Sequence, residues 1–177
     1  MNVQIRPEEA RDRAVVQALI GAAFGSADRV AGEAIEVGLN DELRRDRGWI
    51  PELTLVAERD GRIVGQLTCS FGELDDDRRT RMVGVGPVAV LPERQGEGIG
   101  SLLMRSLIAA ADARGEQALI LLGSPDFYGR FGFVPSTDLQ IQPPDPQWGK
   151  YFQALPLRAH DGRVTGRFRY AAPFDNL

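Results

Sequence analysis

Histidine, cysteine and lysine occur once each in the 177 residues, as His160, Cys69 and Lys150. One cysteine excludes an intrachain disulfide. One histidine excludes a metal centre built on several imidazoles and any catalytic histidine pair, so no metal is expected. No strongly basic balance exists either. The formal net charge is -4, which argues against nucleic acid as the main partner, because phosphate contacts need a basic face. No apolar run is long enough to span a membrane, since the most apolar stretch, residues 102–111, is broken by Arg105. The first eleven residues lack the apolar segment of a signal peptide, so a reducing cytoplasm is the expected location.

What is present is ordinary for a globular chain. Hydrophobic residues make up 43% and charged residues 26%, a balance that can bury a core and makes disorder a poor description. The length suits one domain over residues 1–177, with a core to about residue 136 and a C-terminal stretch of loop and strands over residues 137–177. Residues 3–6 alternate like a short strand, and a helix opens after Pro7. A second helix is expected over residues 31–44, and Gly48 and Pro51 end that unit. Residues 53–59 and 62–71 read as two strands joined by Asp60-Gly61, a strong hairpin signal. Residues 75–79 form a polar connection, and 82–91 read as a strand with a bulge or bend at Gly86-Pro87. The clearest helix covers residues 98–114, with Ile99, Leu102, Leu103, Leu107 and Ile108 in one stripe. Ala118–Leu122 is wholly apolar and so belongs in the middle of a sheet. Residues 125–130 are a short helix and Phe133 starts a strand. Residues 137–150 read as a long loop, and residues 153–157 and 164–170 as strands able to pair around Asp161-Gly162.

The chemistry concentrates in Gln95-Gly96-Glu97-Gly98-Ile99-Gly100, between a strand and a helix. The first N–H groups of a helix have no intrahelical partner, and its N-terminus carries about half a positive charge. Glycines there let the backbone approach a ligand and adopt positive φ. The result is an anion site suited to phosphate or pyrophosphate. A dinucleotide fingerprint starting at Gly96 fails, since its last glycine falls on Ser101 and the motif sits in mid-chain. A P-loop fails because no Lys precedes Ser101. What remains is Gln/Arg-x-x-Gly-x-Gly/Ala, met by Gln95, Gly98 and Gly100.

That segment, Val88-Ala89-Val90-Leu91-Pro92-Glu93-Arg94-Gln95-Gly96-Glu97-Gly98-Ile99-Gly100-Ser101, resembles the signature of the GNAT superfamily of N-acetyltransferases. A second block, from Leu122 through Phe127-Tyr128-Gly129-Arg130-Phe131-Gly132-Phe133, is similar to that of its small single-domain bacterial members. The resemblance runs over residues 3–135. It implies a mixed α/β fold: a central twisted, mostly antiparallel sheet with one splayed strand pair, flanked by helices. It implies acetyl-CoA as co-substrate, with Val88, Ala89 and Val90 along the pantetheine arm. The amides of Gln95, Gly96, Gly98, Ile99 and Gly100 would face the pyrophosphate, with the Ser101 hydroxyl nearby. It implies direct attack of a primary amine on the thioester, an N–H near Val88 or Ala89 on the oxyanion, and Tyr128 as general acid to the leaving thiolate. Arg94 and Arg105 are expected to add local positive charge.

Each candidate has a plainer reading. Tyr128 also suits a core aromatic beside Phe127, Phe131 and Phe133. Glu73, Asp75 and Asp126 are base candidates that equally suit solvated surface charge. Cys69 alternates with Leu67 and Phe71 and reads as buried, against a Cys69–His160 pair. Trp49 is a pocket wall or a packing residue, Asp75 to Asp77 a solvated turn, and Glu42, Arg44 and Arg45 plain solvent charge. The acceptor is a small amine or a peptide amine, and a homodimer stays open. The rival functions are an acyl-CoA sensor without turnover and a nucleotide-binding domain on the same turn.

Overall fold

The computed structural model describes residues 2–25, 34–75 and 80–176. β1 (Val3–Pro7) leads into α1 (Arg13–Phe24) and α2 (Ile35–Leu43). Then come β2 (Leu55–Arg59), β3 (Arg62–Leu74), β4 (Arg81–Val90), α3 (Ile99–Arg114), β5 (Ala118–Leu122) and α4 (Pro125–Tyr128). The tail carries β6 (Val134–Pro135), β7 (Ile141–Gln142), β8 (Phe152–Pro156) and β9 (Gly166–Arg169), linked by 3-10 turns. The sheet runs β1-β2-β3-β4-β5-β8-β6, with β9 on β3 and β7 on β9. Among the described residues, β4–β5 and β7–β9 pair in parallel and the remaining pairs are antiparallel. The expected mixed α/β fold with a mostly antiparallel sheet is therefore present.

Alternation along β3 divides the core. Leu67 and Cys69 face α3, whose Ile99, Leu103, Met104 and Leu107 are buried against them. Each such side chain contributes about 1.5–3 kcal/mol. Across the sheet, Val16, Leu19 and Ile20 of α1 pack on Val56, Ile63 and Ala89. Asp60 and Gly61 both have positive φ, 51° and 74°, as a two-residue hairpin turn between β2 and β3 demands.

Two irregularities in β4 shape the site. Leu67 pairs with Val88 and Cys69 with Val85, so Gly86 and Pro87 stand opposite Thr68 alone. This is the bulge expected at Gly86-Pro87. β4 pairs with β5 only at Val83↔Leu119 and Gly84↔Ile120, so the two strands part company beyond Gly84.

The C-terminal expectations need correcting. Residues 153–157 and 164–170 do not pair with each other: β8 lies between β5 and β6, whereas β9 joins β3 and β7. β2 covers β3 only as far as Leu67, leaving the edge at Glu73 and Leu74 open for β9. Residues 137–150 are not a plain loop but hold β7 and two 3-10 turns, the second opened by Pro146 under an Asp145 cap. The strand expected at residue 53 begins at Leu55, behind a 3-10 turn, and the one at Phe133 begins at Val134. The expected start of the second helix at residues 31–33 and the Asp76 to Arg79 connection lie outside the described residues. Arg44 is not solvent charge: its side chain is 3% exposed and pairs with Glu8 at 2.7 Å and Asp41 at 2.8 Å.

Candidate functional site

The site begins with the free edge of β4. The Leu91 N–H donates to Val64 O at 3.0 Å, so Leu91 and Ala89 face β3. In an antiparallel ladder the intervening residues face the other way. Val88 and Val90 therefore turn their N–H and C=O groups into the gap where β5 has diverged. The Ala89 side chain is buried against α1 and its N–H and C=O face β3, so it presents no polar group to this gap. Gln66 Nε2 donates to Pro87 O at 3.1 Å from the buried side of the sheet. The peptide plane that carries this carbonyl also carries the Val88 N–H, so gripping one fixes the other. Thr68, itself donating to Asn40 Oδ1 at 2.5 Å, lies 3.1 Å from Gln66 Oε1 and steadies that side chain.

Beyond Val90 the chain makes a 3-10 turn at Pro92–Arg94 and enters α3. Gly96 and Gly98 hold φ of 81° and 83°, and a Cβ on either would meet nothing within 4 Å, so both face open space. The first bond of the helix runs from Leu102 N–H to Gly98 O. The N–H groups of Gly96, Gly98, Ile99, Gly100 and Ser101 find no acceptor among the described residues. They form a row of donors at a helix N-terminus. Gln95 differs from the expectation: its N–H goes to Pro92 O at 3.3 Å, and its side chain donates to Val90 O at 3.2 Å. Arg59 and Arg94 both bond Glu97, tying the loop to β2.

Val88 to Val90, Gln95, Gly96 and Gly98 to Ser101 thus line one cleft of about 500 Å3, together with Tyr128. Arg94 and Arg130 also line it, with Arg130 over the Phe127 ring at 4.9 Å. Arg105 does not line it; its guanidinium stacks over Phe131 at 5.7 Å. Arg130 lies on the 3-10 turn that follows α4, and its place at the cleft depends on how that separate element packs, which local sequence does not show.

Tyr128 packs as a core aromatic and also lines the cleft. Its ring packs edge-on against Phe127 at 4.8 Å and Phe133 at 5.8 Å. It also rests on Gly123, where a Cβ would come within 2.3 Å of the ring. Burial pushes its phenol above the ordinary value of 10.0, so the group stays protonated at neutral pH.

A second cavity, of about 460 Å3, opens on the other side of Tyr128 and Val88, which line both. Its walls are Leu39, Pro87, Trp148, Tyr170 and Phe174, with Phe24 and Leu122, 42% and 46% exposed. Glu36, Asp175 and Arg169 supply the charges. Tyr170 stacks with Phe174 at 4.5 Å, and burial followed by the nearby Tyr128 pushes its phenol up. A larger hollow of about 550 Å3 lies elsewhere, lined by Arg6, Asp12 and Glu58. There Arg6 is already paired, 2.6 Å from Asp12 and 2.9 Å from Glu58.

The remaining candidates lie apart. Asp75 is paired with Arg169 at 3.0 Å, Glu73 sits in a shallow hollow beside Arg81, and Asp126 is exposed on α4; none lines either cleft. Cys69 is fully buried, and burial pushes its thiol up. Trp49 packs, donating to Thr54 Oγ1 at 2.9 Å, and lines neither cleft. Among the described residues no helix is long and apolar enough to cross a membrane, and no three His, Cys, Asp or Glu cluster to hold a metal.

Comparison with known proteins bears on the same residues. The family model for the acetyltransferase (GNAT) domain matches residues 4–135. The uncharacterized N-acetyltransferase YjhQ of Escherichia coli K12 is 30% identical over 150 residues, covering 82% of this chain and 83% of that protein. The GNAT family N-acetyltransferase YhbS of Escherichia coli, solved in complex with CoA, superposes with a TM-score of 0.86 at 27% identity over 99% of this chain and 93% of that one. A GNAT family acetyltransferase of Brucella melitensis, solved in complex with acetyl-CoA, superposes with a TM-score of 0.77 at 32% identity, over 98% and 99% of the two chains.

Proposed function

The chain belongs to the GNAT acetyltransferases, and on that premise we propose that it moves the acetyl group of acetyl-CoA to a primary amine by direct attack. One observation carries the reading: the donor-lined cleft and the second cavity meet at Val88 and Tyr128 and share no other residue among those described. A reaction between two bound molecules needs such a junction.

The cleft suits the donor. Relatives of this chain were solved with CoA and acetyl-CoA, and the free amides from Gly96 to Ser101 form a cradle for a pyrophosphate. The edge at Val88 and Val90, where Val90 O already accepts from the Gln95 side chain, offers the pantetheine amides a strand to pair with. Bound acetyl-CoA supplies an activated carbonyl and a thiolate leaving group. The amine, freed of one proton to water, forms the N–C bond, and the nitrogen loses a second proton to water as the C–S bond breaks. The Val88 N–H, held in place by Gln66, meets the developing oxyanion. Tyr128 gives its proton to the sulfur and regains one from solvent. The balance is amide, free CoA thiol and one proton released.

Acetyl-CoA is expected to raise the melting temperature, and amines to drive release of free CoA thiol. A rise caused by ATP or NAD and not by acetyl-CoA would favour the nucleotide-binding reading. Binding of acetyl-CoA with no amine-dependent thiol release would favour a sensor. Within the loop, Gly98→Ala forces a side chain to φ of 83°. Strain of about 1–3 kcal/mol there opens the cradle, so the acetyl-CoA Kd should rise about ten- to a hundredfold by calorimetry.

A further inference from the structure

We propose that the acceptor is a small arylalkyl primary amine that carries no carboxylate. This rests on the reading of Val88 and Tyr128 as the junction between donor and acceptor. The cavity beyond them holds about 460 Å3, within the range of small-molecule sites. Aromatic rings dominate its walls: Trp148 lies 6.4 Å from Tyr170, and Tyr170 lies 4.5 Å from Phe174. Phe24 and Leu122 remain exposed at this cavity, 42% and 46%, apolar surface that a flat hydrophobic ligand would cover. A polyamine or a polar peptide terminus would leave those rings uncovered and its own polar groups unpaired among them.

The charges choose the sign of the ligand. Glu36 and Asp175 line the cavity and form no ion pair among the described residues. Among the described residues the cation there is Arg169, and Asp75 holds it at 3.0 Å. The described residues of the cavity therefore draw in an ammonium group and offer a ligand carboxylate no unpaired cation. An aromatic amine fits better than the corresponding amino acid, and the amine end reaches the Val88–Tyr128 junction while the ring stacks on Trp148, Tyr170 or Phe174.

Two readouts on the full chain test this. In the first, 2-phenylethylamine, phenylalanine, spermidine and an alanyl dipeptide are compared as acceptors for acetyl-CoA. The aromatic amine is expected to exceed each of the others in kcat/KM by at least about tenfold. Equal or better use of spermidine, phenylalanine or the dipeptide overturns the proposal and leaves the transfer reading intact. In the second, 2-phenylethylamine is titrated into the CoA-bound protein by calorimetry. Binding without turnover of any amine upholds the acceptor class and defeats the transfer reading. Absence of binding overturns the acceptor class whatever the turnover. The Glu36→Gln/Asp175→Asn pair sits at half-buried and exposed positions and should fold. It should weaken 2-phenylethylamine about fivefold while leaving acetyl-CoA binding unchanged. An unchanged amine affinity in that pair overturns the charge argument, and Trp148→Leu then reads the ring contribution separately.

Discussion

Tyr128→Phe is expected to lower kcat for acetyl transfer about 10²–10⁴-fold, the usual worth of a positioned general acid. Phenylalanine keeps the ring, its edge-on contacts with Phe127 and Phe133, and its seat on Gly123. Binding of acetyl-CoA should therefore stay unchanged by calorimetry, and only the proton donor is lost. The pH profile separates this from a packing defect. Burial raises the Tyr128 phenol above 10.0 because it penalises the phenolate. The acid form therefore persists throughout the neutral range, and activity should fall only as pH rises beyond the ordinary tyrosine value. In the Phe variant that alkaline fall disappears and the remaining rate is flat there. Equal CoA release by the two proteins would leave Tyr128 as a core aromatic and nothing more.

The strand–turn–helix cleft was legible in the sequence because it is local. Residues 88–101 are one strand, one turn and one helix start, and each step follows from period, glycine placement and unpaired amides. The bulge at Gly86-Pro87 followed from proline chemistry alone. Gln95 was assigned to the ligand through its amide, but that N–H closes the 3-10 turn onto Pro92, a detail set by backbone dihedrals that composition does not encode. The second cavity was not legible. Phe24, Glu36, Pro87, Leu122, Trp148 and Tyr170 come from separate stretches of chain, and only the sheet order brings them together. The tail misled for the same reason. Asp161-Gly162 is a sound turn signal, but both edges of β8 are taken by β5 and β6. β9 crosses instead to the exposed end of β3, and that crossing carries Tyr170 and Phe174 to the cavity. The buried ion pair of Arg44 with Glu8 is another long-range outcome: a helix register places the guanidinium inward, whereas the local charge pattern suggested solvent.

Gly123→Ala should reproduce most of the Tyr128→Phe defect without touching a reacting group. A methyl group at Gly123 would sit 2.3 Å from the Tyr128 ring, so something must move. The backbone is the less mobile partner. The Gly123 N–H donates to Tyr151 O at 2.9 Å, and its carbonyl accepts from Gln153 Nε2 at 2.8 Å, directly after β5, which pairs along its length with β8. The ring therefore swings away, against Phe127 and toward the donor cleft, and carries the hydroxyl off the sulfur. A displacement near an ångström in a reacting group costs about 10²-fold in kcat. Because the ring also lines the cleft, acetyl-CoA binding should weaken as well, which distinguishes this variant from Tyr128→Phe. The two substitutions remove one function by different routes, so they should not add. On a Tyr128→Phe background, Gly123→Ala should lower kcat by less than about twofold, since residues acting through one contact lose independence. Full multiplication of the two effects in steady-state kinetics would show that Gly123 acts on the rate by some path other than the phenol.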